Sequence, residues 1–192
     1  QSGPGHSVQC ALPGIPDDHT TLVLYGDVPL IRTETLRALL ALAGPRSMAL
    51  LSAKFDEPEG YGRVVRNAKG RVLRIVEQCD CNARELKIRE CNTGVLAVNA
   101  RFLKRWLGKL KPANAQREYY LTDIIAMAAK DKISIAPLIA PTAVEVLGVN
   151  DKVQLAALEA HYRRSRADEL MRAGVTVIDP ARLDVRGSVS CG

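Results

Sequence analysis

The sequence predicts an α/β domain with a mixed, mostly parallel sheet and an inserted β-hairpin. Three observations carry this reading. Short continuous apolar runs recur at Leu22-Val23-Leu24, at 47–53 and at Val95-Leu96-Ala97-Val98, as in strands buried on both faces. Helix-period patterns separate such runs, which is the βαβ rhythm of a parallel sheet. Between 61 and 77 the chain instead gives strand, turn and strand in close succession, the mark of a hairpin.

Taken in order, Gln1 to Ser7 holds Gly3, Pro4 and Gly5, and its glycines permit close backbone approach to a ligand or simply a flexible terminus. A short helix fits 7–12. The strand at 21–26 runs into Tyr25-Gly26-Asp27, and Pro29 ends it. Thr33 can cap a helix whose apolar stripe is Leu36, Leu39, Leu40 and Leu42, stopped by Gly44-Pro45. A strand follows at 47–53. The hairpin then pairs 61–65 with 71–77 around a turn at 67–70, with Glu77 at its end. Residues 78–88 hold a helical turn. Glu90-Cys91-Asn92-Thr93-Gly94 precedes the strand at 95–98. Asn99 caps a helix carrying Phe102, Leu103, Trp106, Leu107 and Leu110. After a loop at 112–116, a helix spans 119–129 and a strand 133–136. A strand-like run covers 143–147. Asp151 caps the longest helix, 152–172, which ends at Gly174. A short strand fits 176–178, and Asp179-Pro180 marks a boundary.

Composition narrows the function. The chain has 192 residues, 47% of them hydrophobic, enough for one globular core. No apolar run approaches the roughly 18–20 residues of a membrane-spanning helix, and residues 1–14 lack the pattern of a secretory signal. The net charge is +6, yet the bases are interspersed with acids and aromatics make up 4%, so neither a charged stripe nor a stacking platform for nucleic acid is present. The excess of base suits an anionic small substrate. Five cysteines, at 10, 79, 81, 91 and 191, make a poor disulfide framework and fit a reducing, cytoplasmic compartment. Their spacing does not match a zinc site.

Four polar residues stand at the ends of apolar runs: Asp27, Glu77, Asn92 and Asn150. Open α/β sheets bind ligands beyond the carboxyl ends of their strands. Asp27 is the carboxylate best placed for a hard cation, and Asn150 adds a neutral oxygen. Magnesium needs few protein ligands because it keeps waters and substrate phosphates. Glu77 and Asn92 can hydrogen-bond a polar ligand such as a sugar, with Gly62 leaving space. Each residue type also serves as an ordinary turn former or cap. Dinucleotide and P-loop signatures and the G-x-S-x-G elbow are absent from the sequence. His6, His19 and His161 lie too far apart for a histidine metal motif, and His161 falls within the long helix.

Six blocks, in order, resemble one enzyme family: Leu24-Tyr25-Gly26-Asp27-Val28-Pro29-Leu30, Gly60-Tyr61-Gly62-Arg63, Ile75-Val76-Glu77, Glu90-Cys91-Asn92-Thr93-Gly94, Glu118-Tyr119-Tyr120-Leu121-Thr122-Asp123 and Glu145-Val146-Leu147-Gly148-Val149-Asn150. The family is the uridylyltransferase domain of the bacterial bifunctional N-acetylglucosamine-1-phosphate uridylyltransferase/glucosamine-1-phosphate N-acetyltransferases. The resemblance implies a Rossmann-like nucleotide-diphospho-sugar transferase fold, N-terminally truncated. It places a partial uridylyltransferase domain at 1–178 and, at 179–192, a linker toward a left-handed β-helix acetyltransferase domain. The family's glycine-rich phosphate loop and catalytic lysine precede the stretch that matches Gln1.

The implied reaction joins UTP and N-acetylglucosamine 1-phosphate into UDP-N-acetylglucosamine and pyrophosphate, with Mg2+ as cofactor and a homotrimer as the full-length assembly. By resemblance, Asp27 and Asn150 are the metal ligands and act catalytically through the metal. Tyr25, Gly26 and Asp27 match the segment at the nucleotide and sugar phosphate. Gly62, Glu77, Asn92 and Thr93 match sugar-nucleotide contacts. Gly3 and Pro4 match a uridine-contacting Gly-Thr pair, and Pro4 departs from it by losing both hydroxyl and backbone N–H. Two other readings stand beside this one: a remnant that binds sugar nucleotide without turnover, and a nucleotidyltransferase for another sugar 1-phosphate.

Overall fold

A computed structural model describes residues 3–112 and 114–189, which fall into two units. Gln1, Ser2, Cys191 and the last residues of the 179–192 linker lie outside the described residues. The first unit comprises 3–26 and 31–146, and the second 27–30 and 147–189.

In the first unit the elements run α1 (Pro4–Ala11), β1 (Thr20–Val23), α2 (Thr33–Leu42), β2 (Ser47–Lys54), β3 (Arg63–Arg66), β4 (Val72–Val76), β5 (Glu90–Asn99), α3 (Ala100–Leu107), α4 (Asp123–Lys130) and β6 (Ser134–Ile139). One sheet holds all six strands in the order β4-β3-β5-β2-β6, with β1 also on β5. The α/β class, the mixed sheet and the hairpin agree with the sequence. The parallel share is smaller than expected. Only β2–β6 is parallel among the described ladders, while β1–β5, β2–β5, β3–β4 and β3–β5 are antiparallel. An apolar run reports burial on both faces, not strand direction, and β5 runs against each of its neighbours.

Burial explains the runs. Met48, Ala49, Leu50 and Leu51 of β2 are wholly buried, as are Ala97 and Val98 of β5. Each large apolar side chain so buried contributes about 1.5–3 kcal/mol. The same core takes Leu103 and Trp106 from α3 and Ile124, Ile125 and Ala128 from α4. Asn99 caps α3 as the sequence predicts, its side chain accepting the Arg101 N–H at 3.1 Å.

Several boundaries differ. β1 stops at Val23, paired with Leu96, because β5 leaves regular pairing just beyond that point. Asp27 therefore sits in a turn past the strand rather than at its tip. Thr33 is the first helical residue of α2, not its cap. Arg32 holds the cap position, and its N–H donates to the Glu145 carboxylate at 3.0 Å. That bond also accounts for Ala143–Val146, a 3-10 turn where a strand was expected: the turn buries Glu145. α4 begins at Asp123 rather than 119, since the Tyr119 carbonyl is taken by the Gly5 N–H at 3.0 Å.

The second unit is built on α5 (Lys152–Arg172). Asp151 caps it, accepting the Gln154 N–H at 2.7 Å, and the helix gives way at Gly174, φ +95°. Residues 176–178 form no strand, and Ile178 is 98% exposed. An apolar triplet without a neighbouring strand gains no ladder.

Candidate active site

The site in the first unit grows from an irregularity in β5. Leu50 pairs with Leu96 and Ser52 with Asn92, so two steps on β2 oppose four on β5. The extra residues form a bulge. The Asn92 side-chain oxygen accepts the Gly94 N–H at 3.1 Å. The Thr93 hydroxyl donates to the Leu51 carbonyl at 2.8 Å and accepts the Val95 N–H at 3.3 Å. Gly94 has φ +79°, a left-handed conformation suited to glycine. The Tyr25 ring lies directly on it: a Cβ there would stand 2.7 Å from Cζ and 2.8 Å from Cδ2 of that ring. Asn92 thus belongs within β5, not to a segment that precedes the strand. Its side-chain oxygen is committed to the bulge, and its amide N–H groups remain the donors it can offer a ligand.

The open end of the hairpin abuts this bulge. The Gly62 carbonyl accepts the Asn92 N–H at 2.8 Å. A Cβ on Gly62 would stand 2.9 Å from Ile75 Cγ2 and 3.0 Å from a Glu77 carboxylate oxygen, so glycine is required for Glu77 to lie there. Glu77 follows β4 directly, as expected, and accepts the Thr122 hydroxyl at 2.9 Å. Burial raises the Glu77 pKa, the Thr122 hydrogen bond opposes that, and repulsion from Asp80 and Asp123 adds to it. Burial chiefly, with Asp80 behind it, also raises Asp123. Thr122 is a residue the sequence reading assigned no role. Its only signal was membership of the Glu118-to-Asp123 block.

Beside these lies a cleft of about 550 Å³ whose lining includes Gly3, Pro4, Tyr25, Gly26, Glu118 and Leu121. The structure therefore brings the four expected nucleotide-side residues of this unit to one cavity. Pro4 is the first residue of α1, where a missing N–H leaves no helical bond unmade. Gly3 precedes it at φ +83°, against the Glu118 side chain. Gly5 packs so closely that a Cβ would stand 2.6 Å from the Tyr119 carbonyl. A Cβ on Gly26 would meet nothing within 4 Å, so that glycine keeps open space.

In the second unit, the Val149 N–H donates to the Asp27 carbonyl at 2.9 Å. Asp27 and Asn150 are both exposed. A Cβ on Gly148 would stand 3.4 Å from an Asp27 carboxylate oxygen, so the glycine keeps that side of the carboxylate clear. The Asn150 N–H is held by the Gln154 side chain at 2.7 Å. A carboxylate and an amide oxygen on adjoining segments, with space beside the carboxylate, fit a hard divalent cation.

An α/β sheet with polar groups on a bulge and at strand ends, beside a cleft, is an architecture that serves ligand binding. The chain belongs to the MobA-like NTP transferase domain family, whose model matches residues 1–173. Among curated proteins it is 53% identical over 192 residues to the bifunctional protein GlmU of Alkalilimnicola ehrlichii, covering all of this chain and 41% of that protein. It is 54% identical to the bifunctional protein GlmU of Thiobacillus denitrificans over the same 192 residues, 42% of that protein. The chain thus spans about two fifths of the length of these relatives. Among solved structures it resembles a Bacillus anthracis protein described as a glucose-1-phosphate thymidylyltransferase in complex with a sucrose. The TM-score is 0.56 and the identity 17%, over 94% of this chain and 65% of that one, a likeness of fold.

Proposed function

We propose that this chain forms part of an N-acetylglucosamine-1-phosphate uridylyltransferase. A phosphate oxygen of N-acetylglucosamine 1-phosphate attacks the α-phosphorus of UTP. The bond from that phosphorus to the α,β-bridging oxygen breaks, and pyrophosphate leaves as UDP-N-acetylglucosamine forms. The observation that carries the reading is the cradle of Gly62, Glu77 and Asn92, in which a half-buried carboxylate is held by the Thr122 hydroxyl and an amide by backbone bonds. Such a donor and acceptor pair suits a hydroxyl-rich, acylamino sugar. The identity with the GlmU proteins along the whole chain supports the same assignment.

In this reading Glu77 accepts from sugar hydroxyls and Asn92 donates through its side-chain amide. Tyr25 and Gly26 line the path of the phosphates, and Gly3 and Pro4 border the uridine. Pro4 offers no backbone N–H, so base recognition leans on its neighbours. Asp27 and Asn150 would hold Mg2+, which when bound neutralises charge on the phosphate oxygens. The same reading places the chain in the cytoplasm, within a homotrimeric bifunctional enzyme supplying peptidoglycan and lipopolysaccharide synthesis, with an acetyltransferase domain after 179–192.

One observation favours a second reading, binding without turnover. Among the described residues, the cleft lining contains no lysine or arginine to face a triphosphate. Pyrophosphate release from UTP and N-acetylglucosamine 1-phosphate with Mg2+, measured beside calorimetric binding of UDP-N-acetylglucosamine, separates the two. Release that disappears in Asp27→Asn supports transfer. Binding alone supports the second reading, and neither binding nor release overturns both.

A further inference from the structure

We infer that Gly94 is a positioning residue for ligand binding, acting solely by seating the Tyr25 ring. This rests on the proposed nucleotide-sugar reading of the cleft. Tyr25 lines the cavity, whereas Gly94 is not among its lining residues. The two meet because the β5 bulge brings a bare backbone under the ring. Three ring atoms, Cε2, Cζ and Cδ2, lie within 2.8 Å of the place a Cβ would occupy, well inside any real carbon contact. The ring therefore cannot keep its position over any residue larger than glycine.

The seat is itself fixed. Asn92 holds the Gly94 N–H, Thr93 ties the bulge to Leu51, and the Gly62 carbonyl anchors Asn92. One bulge thus sets both the Asn92 side chain and the seat of the Tyr25 ring. Gly26 follows Tyr25 directly, and a Cβ there would meet open space.

A double-mutant cycle tests this. UDP-N-acetylglucosamine binding is measured by calorimetry for the full chain, Gly94→Ala, Tyr25→Ala and the double variant, with Tyr25→Phe as the conservative control. Gly94→Ala weakens binding about tenfold or more, Tyr25→Ala by a similar factor, and the double variant by no more than Tyr25→Ala alone. Tyr25→Phe keeps the ring on its seat and loses less than Tyr25→Ala. Losses that multiply in the double variant would show that Gly94 acts through its own left-handed backbone, and would overturn the inference, as would unchanged binding in Gly94→Ala. An independent readout uses no ligand: the NMR resonances of Gly94 shift in Tyr25→Ala because the ring current is removed. An unshifted Gly94 signal contradicts the seat itself, whereas a shifted signal with no binding by the unmutated chain counts against the functional reading alone.

Discussion

The Asp27 carbonyl and the Val149 N–H are joined by a 2.9 Å hydrogen bond across more than a hundred residues of sequence. It ties the turn that carries the Asp27 carboxylate to the Gly148-Val149-Asn150 segment ahead of α5. Asp27→Asn is expected to weaken Mn2+ binding by about tenfold, or ~1.4 kcal/mol, as followed by electron paramagnetic resonance. Gly148→Ala places a methyl 3.4 Å from an Asp27 carboxylate oxygen. It should keep the fold and weaken Mn2+ by a smaller factor. Equal affinity in all three proteins would remove Asp27 from the cation site.

Glu77 couples stability to pH. Its pKa is raised, chiefly by burial, so the folded chain binds that proton more tightly than the unfolded chain. The stability it contributes is fullest below the unfolded value and is lost as pH rises through the folded value. Glu77→Gln removes this titration. Its Tm should exceed that of the unmutated chain at about pH 8 and match it near pH 4, while UDP-N-acetylglucosamine binding falls. A variant that is less stable at pH 8 would contradict the account.

The Asn92 side chain has its oxygen on the Gly94 N–H, and in the proposed function its amide N–H groups face the ligand. Asn92→Asp keeps an oxygen for the Gly94 N–H and removes the amide donors. Circular dichroism and Tm should change little, whereas affinity for the sugar nucleotide should drop about tenfold, the loss of a half-buried donor. A large fall in Tm with affinity preserved would invert this assignment.

Gly5 docks α1 onto the rest of the first unit. A methyl there would stand 2.6 Å from the Tyr119 carbonyl and 2.8 Å from Leu110 Cδ1. Gly5→Ala should lower stability by ~1–3 kcal/mol through overpacking, read by urea denaturation. Because α1 forms one wall of the cleft, uridine nucleotides should bind more weakly in the same variant.

The sequence made some of this legible and hid the rest for physical reasons. Asn99 and Asp151 were found as caps because a capping side chain acts on N–H groups two or three residues away. The hairpin was found because Asn67 to Gly70 is a local turn, its side chain accepting from Lys69 and Arg71. Glu145 was missed because its partner, Arg32, lies 113 residues away. The residues of the β5 bulge were placed ahead of the strand, since the polar Asn92 and Thr93 and the Gly94 interrupt the apolar run that marks 95–98. Thr122 was silent until folding brought it to Glu77. Glu77 and Asn92 were legible as polar residues at the ends of apolar runs and Gly62 as space beside them, although Asn92 lies inside a strand.

The β3–β4 hairpin has two unlike ends. Its open end is fixed by Gly62, Asn92 and Glu77, while its tip closes on itself through Asn67 and Gly70, with exposed residues at 68–70. Extra chain spliced into that tip would be absorbed without altering the pairing beneath it. The loop is thus a natural graft point for a fluorophore or affinity handle, and a place where homologous proteins can vary in length while their ligand chemistry stays the same.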